Sequence, residues 1–300
     1  MNFILYLEVI DIDKFERIGD TPLIHLINFE KINNISNTIY AKLEYCNPFG
    51  SIKDRAALEI FREAEKYSIL SKETCIIEAT SGNMGIALAG ISKIKGYNCK
   101  IIMPENMSGQ RKQLIKSYGA ELILTSADLG MNGSIKKAEK LQKQSSDNFY
   151  TNQFHNIACV NAHRIFTAPE IHRQSGNNVD VIIAGIGTGA TVRGINEFYK
   201  GINKSVEIIG VLPSKFPHKI QGIGAGFDPP FLDSCSINEI IYVDDAEAFS
   251  EKNNIYKTDN LHVGLSSGAV IAALKKVVIR KKYRNKFIVL IFADGGDRYE

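Results

Sequence analysis

The chain has 300 residues, 44% of them hydrophobic and 23% charged, which suits one or two packed domains with a real core. Its formal net charge is only +3 and its basic residues are dispersed, so neither nucleic acid nor a membrane surface is indicated as a partner. No run of about 18 apolar residues is present to span a bilayer.

Residues 1–8 lack a basic start and end in an acid, so no secretory signal is expected. Cys46, Cys75, Cys99, Cys159 and Cys235 are scattered without a CxxC pair. That usage fits a reducing cytoplasm better than a disulfide scaffold or a zinc site.

Along the chain, Asn47-Pro48-Phe49-Gly50-Ser51-Ile52-Lys53-Asp54-Arg55 leads from a turn into a helix, where Asp54, Ala57, Ile60, Ala64 and Tyr67 recur at helical spacing. A lysine at a helix start is electrostatically misplaced, because the positive end of the dipole favours anions. The placement disfavours the charged amine and favours a nucleophilic one. A solvated Lys53 beside a capping Ser51 is the competing reading.

Residues 74–79 read as a strand, 85–94 as a buried helix, 100–104 as a strand stopped by proline, and 110–118 as a helix closed by Gly119. A strand at 121–124 and a helix at 134–144 follow. The polar stretch Gln144-Ser145-Ser146-Asp147-Asn148 is the best candidate for a domain crossing. A second series has strands at 179–184 and 206–212 around a helix at 191–199. After an irregular 213–230 come a strand at 239–243, helices near 246–253 and 268–276, and a strand at 287–292. Short apolar strands alternating with helices predict an α/β fold with parallel sheets covered on both faces.

Ligands of such sheets gather at the carboxyl ends of the strands. Three loops rich in Gly and Ser fall there. Gly187, Thr188, Gly189, Ala190 and Thr191 read as an anion cradle at a helix start, with a merely tight strand-to-helix turn as the competing reading. With no Gly-Lys-Ser/Thr it is not a Walker loop. It matches GxGxxA at Gly185, Gly187 and Ala190, but the acid a dinucleotide site needs is replaced by Leu212, and Glu207 sits too early. Thr80, Ser81, Gly82 and Asn83 suit a carboxylate, or merely cap a helix. Gly264-Leu265-Ser266-Ser267-Gly268 also precedes a helix, and Ser266 is either a cap or a partner for a ring nitrogen. His155, His163 and His172 lack metal spacing, and no GxSxG elbow is present.

With these loops in place, the chain resembles the cysteine synthase (O-acetylserine sulfhydrylase) and cystathionine β-synthase family, pyridoxal-phosphate enzymes of fold type II. The resemblance runs from Ile18-Gly19-Asp20-Thr21-Pro22-Leu23 to Asp294-Gly295-Gly296-Asp297-Arg298-Tyr299 and takes in Gln153-Phe154 and the segment from His218 to Gly224. It implies two three-layer α/β/α domains with largely parallel twisted sheets, tryptophan-synthase-β-like. The smaller, mobile and carboxylate-binding domain would span 47–156, and the larger 12–46 plus 157–300.

The resemblance further implies that Lys53 is the Schiff-base lysine and proton shuttle for pyridoxal 5'-phosphate. Asn83 would bond the ring's 3'-oxygen, Ser266 the pyridine nitrogen, and Gly187 to Thr191 the phosphate. Thr80, Ser81, Gly82, Asn83, Gln153 and Gly224 would hold the substrate. The implied reaction is β-elimination and β-replacement on a small amino acid through an aminoacrylate, with sulfide or a thiol as co-substrate. A homodimer and a serine acetyltransferase tail are the implied partners. Met84, Ala190 and a short 211–218 segment containing Leu212 depart from the family pattern. So does Asp228, which is either a solvated loop residue or a base that activates water, turning cysteine into sulfide and serine. The alternatives are cysteine formation from O-acetylserine, thiol addition of the lanthionine or cystathionine type, and an idle homologue that binds a peptide in its cleft.

Overall fold

The computed structural model describes residues 15–232 and 237–298. Residues 1–8, Cys235 and Tyr299, which figure in the sequence reading, lie outside them. The first half of the chain forms β1 (Leu23–His25), α1 (Ile27–Ile32), β2 (Thr38–Leu43), α2 (Lys53–Lys66), β3 (Cys75–Ala79), α3 (Asn83–Lys95), β4 (Asn98–Pro104), α4 (Gly109–Ser117), β5 (Glu121–Thr125), α5 (Gly130–Gln142) and β6 (Asn148–Tyr150). The second half forms α6 (Ala158–Ala162), α7 (Ala168–Gln174), β7 (Val181–Gly185), α8 (Ala190–Gly201), β8 (Glu207–Pro213), β9 (Glu239–Val243), α9 (Asp245–Asp259), α10 (Leu265–Val278) and β10 (Phe287–Phe292). A π-helical turn, His163–Thr167, joins α6 to α7.

Two sheets result. The smaller has the order β5-β4-β3-β6 and is parallel throughout. The larger has the order β1-β2-β10-β7-β8-β9, with β1 antiparallel at its edge. Side-chain alternation puts helices on both faces of each. On β7, Val181 and Ile183 join the core beneath α10, while Ile182 and Ala184 join Val192 and Ile195 of α8. On β3, Ile76 packs with α2 and α3, whereas Cys75, Ile77 and Ala79 pack with Ala138 of α5. The fold is therefore two three-layer α/β/α units, as the resemblance implies.

Helix α3 is buried from Met84 through Ser92, so it lacks a polar stripe. A side chain at Gly90 would collide with the Phe49 ring, so Gly90 is what lets the turn before Lys53 lie against this helix.

Three sequence expectations need correction. The stretch 144–148 is not the crossing, because the chain returns as β6 to pair with β3. Its polarity reflects an exposed turn, tied by Asn148 Nδ2 to the Leu141 carbonyl at 2.7 Å. Helix α9 runs to Asp259, well past 253, because an Asp244–Glu247 capping box starts it and Ala248, Glu251 and Ile255 continue its buried stripe. Helix α10 begins at Leu265, so Ser266 lies within its first turn. No helix among the described residues is long and apolar enough to cross a membrane.

Candidate active site

A cavity of about 460 Å³ lies where the carboxyl ends of β3, β7 and β10 approach one another. Lys53 reaches it from the first residue of α2. The backbone N–H of Lys53 donates to Ser51 Oγ at 3.2 Å, and Asp54 in the same turn accepts from the Phe49 N–H at 2.6 Å. The acid beside the lysine thus serves the helix start and the turn. Burial pushes the Lys53 amine below the usual lysine range, against the opposing pull of Cys159, Glu78 and Asp294. Desolvation joins the helix dipole in favouring the neutral amine.

At another wall lies the loop expected to cradle an anion. Gly187, Thr188, Gly189 and Thr191 line the cavity, and the N-terminus of α8 opens onto it at Ala190. Gly189 has φ +88°, and a Cβ on Gly187 would come within 2.7 Å of the Gly222 carbonyl. Thr188 Oγ1 accepts the Ala190 N–H at 3.3 Å. Thr191 Oγ1 lies 3.2 Å from His163 Nε2, whose other nitrogen lies 3.0 Å from Thr167 Oγ1. Burial, reinforced by Lys53 and Arg55, pushes His163 well below the usual histidine range, so a neutral ring positions the Thr191 hydroxyl. In the sequence nothing local sets His163 apart from the other scattered histidines. Its role depends on a partner 28 residues away.

Asp294, buried at the end of β10, ties two predicted residues together. Asn83 Nδ2 donates to its Oδ2 at 2.7 Å, and Ser266 Oγ lies 3.5 Å from its Oδ1. Asp294 was legible only as part of a terminal motif. It is in fact the acid beside the two side chains expected to face a ring.

Thr80, Ser81 and Gln153 also line the cavity, and Gly224 does so from the segment after β8. Gly82, at φ +156°, caps α3 where a Cβ would strike the Arg111 side chain. The buried Arg111 guanidinium donates to the Ser81 carbonyl at 3.2 Å and to the Gln221 side-chain oxygen. It therefore bridges the smaller-sheet side of the cavity to the segment after β8. Behind Gln153 lies the fully buried Glu78, whose carboxyl burial pushes up to about 7 against hydrogen bonds from Thr151 and Gln153. Met84 is buried on the wall beside Asn83.

Asp228 stands apart. It is exposed on its loop and does not line the cavity. Its neighbour Phe227 packs edge-on against the cavity residue Phe154, with ring centroids 5.1 Å apart.

Residues 14–294 match the family described as pyridoxal-phosphate dependent enzyme. The chain is 41% identical to a cysteine synthase B of Campylobacter jejuni, with 95% of each protein covered. Among solved structures, a hydrogen sulfide-producing enzyme from Fusobacterium nucleatum superposes with TM-score 0.90 at 38% identity, covering 96% of this chain and 99% of that one. A cysteine synthase from Entamoeba histolytica superposes with TM-score 0.91 at 37% identity, covering 100% of this chain and 92% of that one.

The residues present fit the cofactor. An amine shifted toward neutrality suits its aldehyde, and a glycine cradle too tight for side chains suits its phosphate. Polar groups on Asn83 and Ser266 converge at the same cavity for its ring. Geometry and similarity lead to one conclusion: the chain belongs to the cysteine synthase family of pyridoxal-phosphate dependent enzymes and performs β-replacement or β-elimination on an amino acid.

Proposed function

We propose that this enzyme exchanges the β-substituent of a small L-amino acid with sulfide as the entering or leaving group, the exchange that links O-acetylserine to cysteine. The carrying observation is a single cavity that sets Lys53 among the anion cradle, the 80–83 loop and a soft wall of Met84, Met107 and Phe154. Thioether and aromatic surfaces favour sulfur over a strongly hydrated nucleophile.

The bound cofactor supplies the electron sink that makes the substrate's α-proton acidic. Lys53, held toward its neutral form, takes that proton from Cα. Hydroxyls of Thr80 and Ser81, amides at the start of α3 and the Gln153 side chain orient the α-carboxylate. Ser266 offers the ring nitrogen a neutral hydroxyl where an acid would draw a proton onto it, which limits the sink and favours loss of a β-substituent. The membership of the two sheets supports a smaller unit of 47–156 beside 12–46 plus 157–300, and the family resemblance adds that the smaller unit closes on the substrate. The family reading adds a cytoplasmic homodimer and a serine acetyltransferase tail as a competitor for the cleft.

A second reading, cysteine plus water giving sulfide plus serine, is favoured by one observation. Asp228 adjoins Phe227, whose ring packs against Phe154 of the cavity wall, so the loop that carries this carboxylate is tied to the cavity. The test incubates the cofactor-loaded enzyme with O-acetylserine plus sulfide, and separately with cysteine alone. Cysteine from the first mixture supports sulfide exchange. Failure to turn over either mixture refutes it. Under the second reading cysteine alone yields equal serine and sulfide, and Asp228→Asn lowers that yield roughly 100-fold, a typical general-base contribution, while sparing the first reaction. Unchanged serine output in Asp228→Asn removes Asp228 from the chemistry.

A further inference from the structure

Glu78 sits on β3 directly behind the carboxylate loop, with no exposed surface. Its Oε2 accepts from the Thr151 hydroxyl and from the Gln153 backbone N–H at 3.2 Å. Gln153 Nε2 donates to Glu78 Oε1 at 3.3 Å and to the Ala79 carbonyl at 3.2 Å. A glutamine amide has two hydrogens, and both are taken by these acceptors. Turning the amide over would set its oxygen against the Ala79 carbonyl, acceptor against acceptor. As it stands, Gln153 offers a carboxylate entering the cavity no amide hydrogen.

A substrate carboxylate held by Gln153 must therefore draw a hydrogen away from Glu78 or Ala79. Glu78 is the partner that can adapt. Losing a donor disfavours its ionised form. The neutral acid also finds a partner, because Thr151 Oγ1 lies 3.2 Å from the Ile77 carbonyl as well as against Glu78. The hydroxyl can give its hydrogen to Ile77 and accept one from Glu78, so both protonation states are satisfied without rebuilding the core.

We propose that Glu78 is a positioning residue that yields Gln153 to the substrate's α-carboxylate and takes up a proton from solvent as it does so. The proposal rests on the reading that Gln153 holds that carboxylate. The titratable groups facing Glu78 are Lys53 on α2, Cys99 on β4, Tyr150 on β6 and Cys159 on α6. Burial pushes Cys99 and Cys159 up to about 12 and moves Tyr150 upward too, so these stay neutral. Lys53 is the facing group whose charge depends on the cofactor, so the test uses fully loaded enzyme.

The probe is L-methionine, which has no leaving group on its β-carbon. Isothermal titration at about pH 8, in two buffers of different ionisation heat, counts the protons exchanged on binding. Wild type is expected to take up a measurable fraction of a proton more than Glu78→Gln. Its affinity should weaken by up to about tenfold per pH unit above 7, with a flatter profile in the variant. Equal proton counts in the two overturn the proposal. Where Glu78→Gln does not fold, Thr151→Val replaces it. That change removes the acceptor of the neutral acid, so a lower count is expected and an unchanged count overturns the proposal. Gln153→Leu separates the two layers. Unchanged affinity means that Gln153 does not hold the carboxylate. Affinity at least about tenfold weaker, with equal proton counts for wild type and Glu78→Gln, defeats the Glu78 role alone.

Discussion

A buried ionisable side chain must lose its charge or have it matched. Lys53 and Glu78 share a neighbourhood and both shift toward neutrality, by the same desolvation acting on opposite signs. For Glu78 the shift has a thermodynamic consequence. Its folded carboxyl sits at about 7 against an ordinary value of 4.5, so the folded protein binds the extra proton between those values. The contribution is fully present below the unfolded pKa and is lost as pH rises through 7. Relative to Glu78→Gln, wild type is expected to lose on the order of 3 kcal/mol between those limits. Urea melts of both proteins near pH 5 and pH 7.5 check this, and a constant gap contradicts it. Glu78 was hidden in the sequence. It reads as one more residue of an apolar strand, and its partners Thr151 and Gln153 lie 73 and 75 positions away. Lys53, Asn83 and Ser266 were legible as helix-start positions because each sits in a local strand-to-helix or turn-to-helix pattern set by near neighbours, while the roles expected of them came from the family resemblance.

At the scale of elements, strand and helix identities followed from apolar periodicity, while their ends depended on caps and tertiary cover. The reading that ended one helix near 253 met a polar Asn253-Asn254 pair, yet buried Ile255 carries α9 onward. The loop between β7 and α8 was legible because its glycines are required by packing. At Gly187 the collision partner is the backbone of Gly222, which cannot rotate aside as a side chain would. Gly187→Ala is therefore expected to displace the cradle and weaken pyridoxal-phosphate binding by about 1–3 kcal/mol, roughly 5- to 150-fold in affinity. Gly109→Ala, where a Cβ meets nothing within 4 Å, should leave it unchanged. Cofactor titration followed by absorbance distinguishes the two. Equal affinity in both variants would mean that the cradle tolerates a side chain.

Over the whole molecule, the helix that carries Lys53 is tied to the larger sheet by an ionic cluster. Helix α2 packs with the smaller sheet's core, but its Arg55 reaches across to Glu44 after β2, at 2.6 and 2.9 Å, and to Glu170 of α7, at 2.7 Å twice. Lys42 of β2, fully buried, bonds the same Glu170 at 2.9 Å together with Gln174 and the Thr21 carbonyl. Two cations and two anions balance, so the cluster joins the lysine-bearing helix to the larger sheet without net charge. Burial alone would raise the Glu170 carboxyl, but Arg55 and Lys42 overturn that and hold it at about 2. At Lys42 burial wins over the attraction of Glu170 and draws the amine down, so Arg55 is the firmer partner. Glu170→Gln leaves one buried positive charge unmatched and is expected to cost about 3 kcal/mol at neutral pH. Because the folded pKa is depressed, the stabilisation is present above the ordinary carboxyl value and is lost as pH falls through the folded one. The gap between wild type and variant should accordingly narrow by about 1 kcal/mol between pH 7 and pH 4. Urea unfolding at both values measures it. A gap that stays constant would show that Glu170 acts through packing and not through charge.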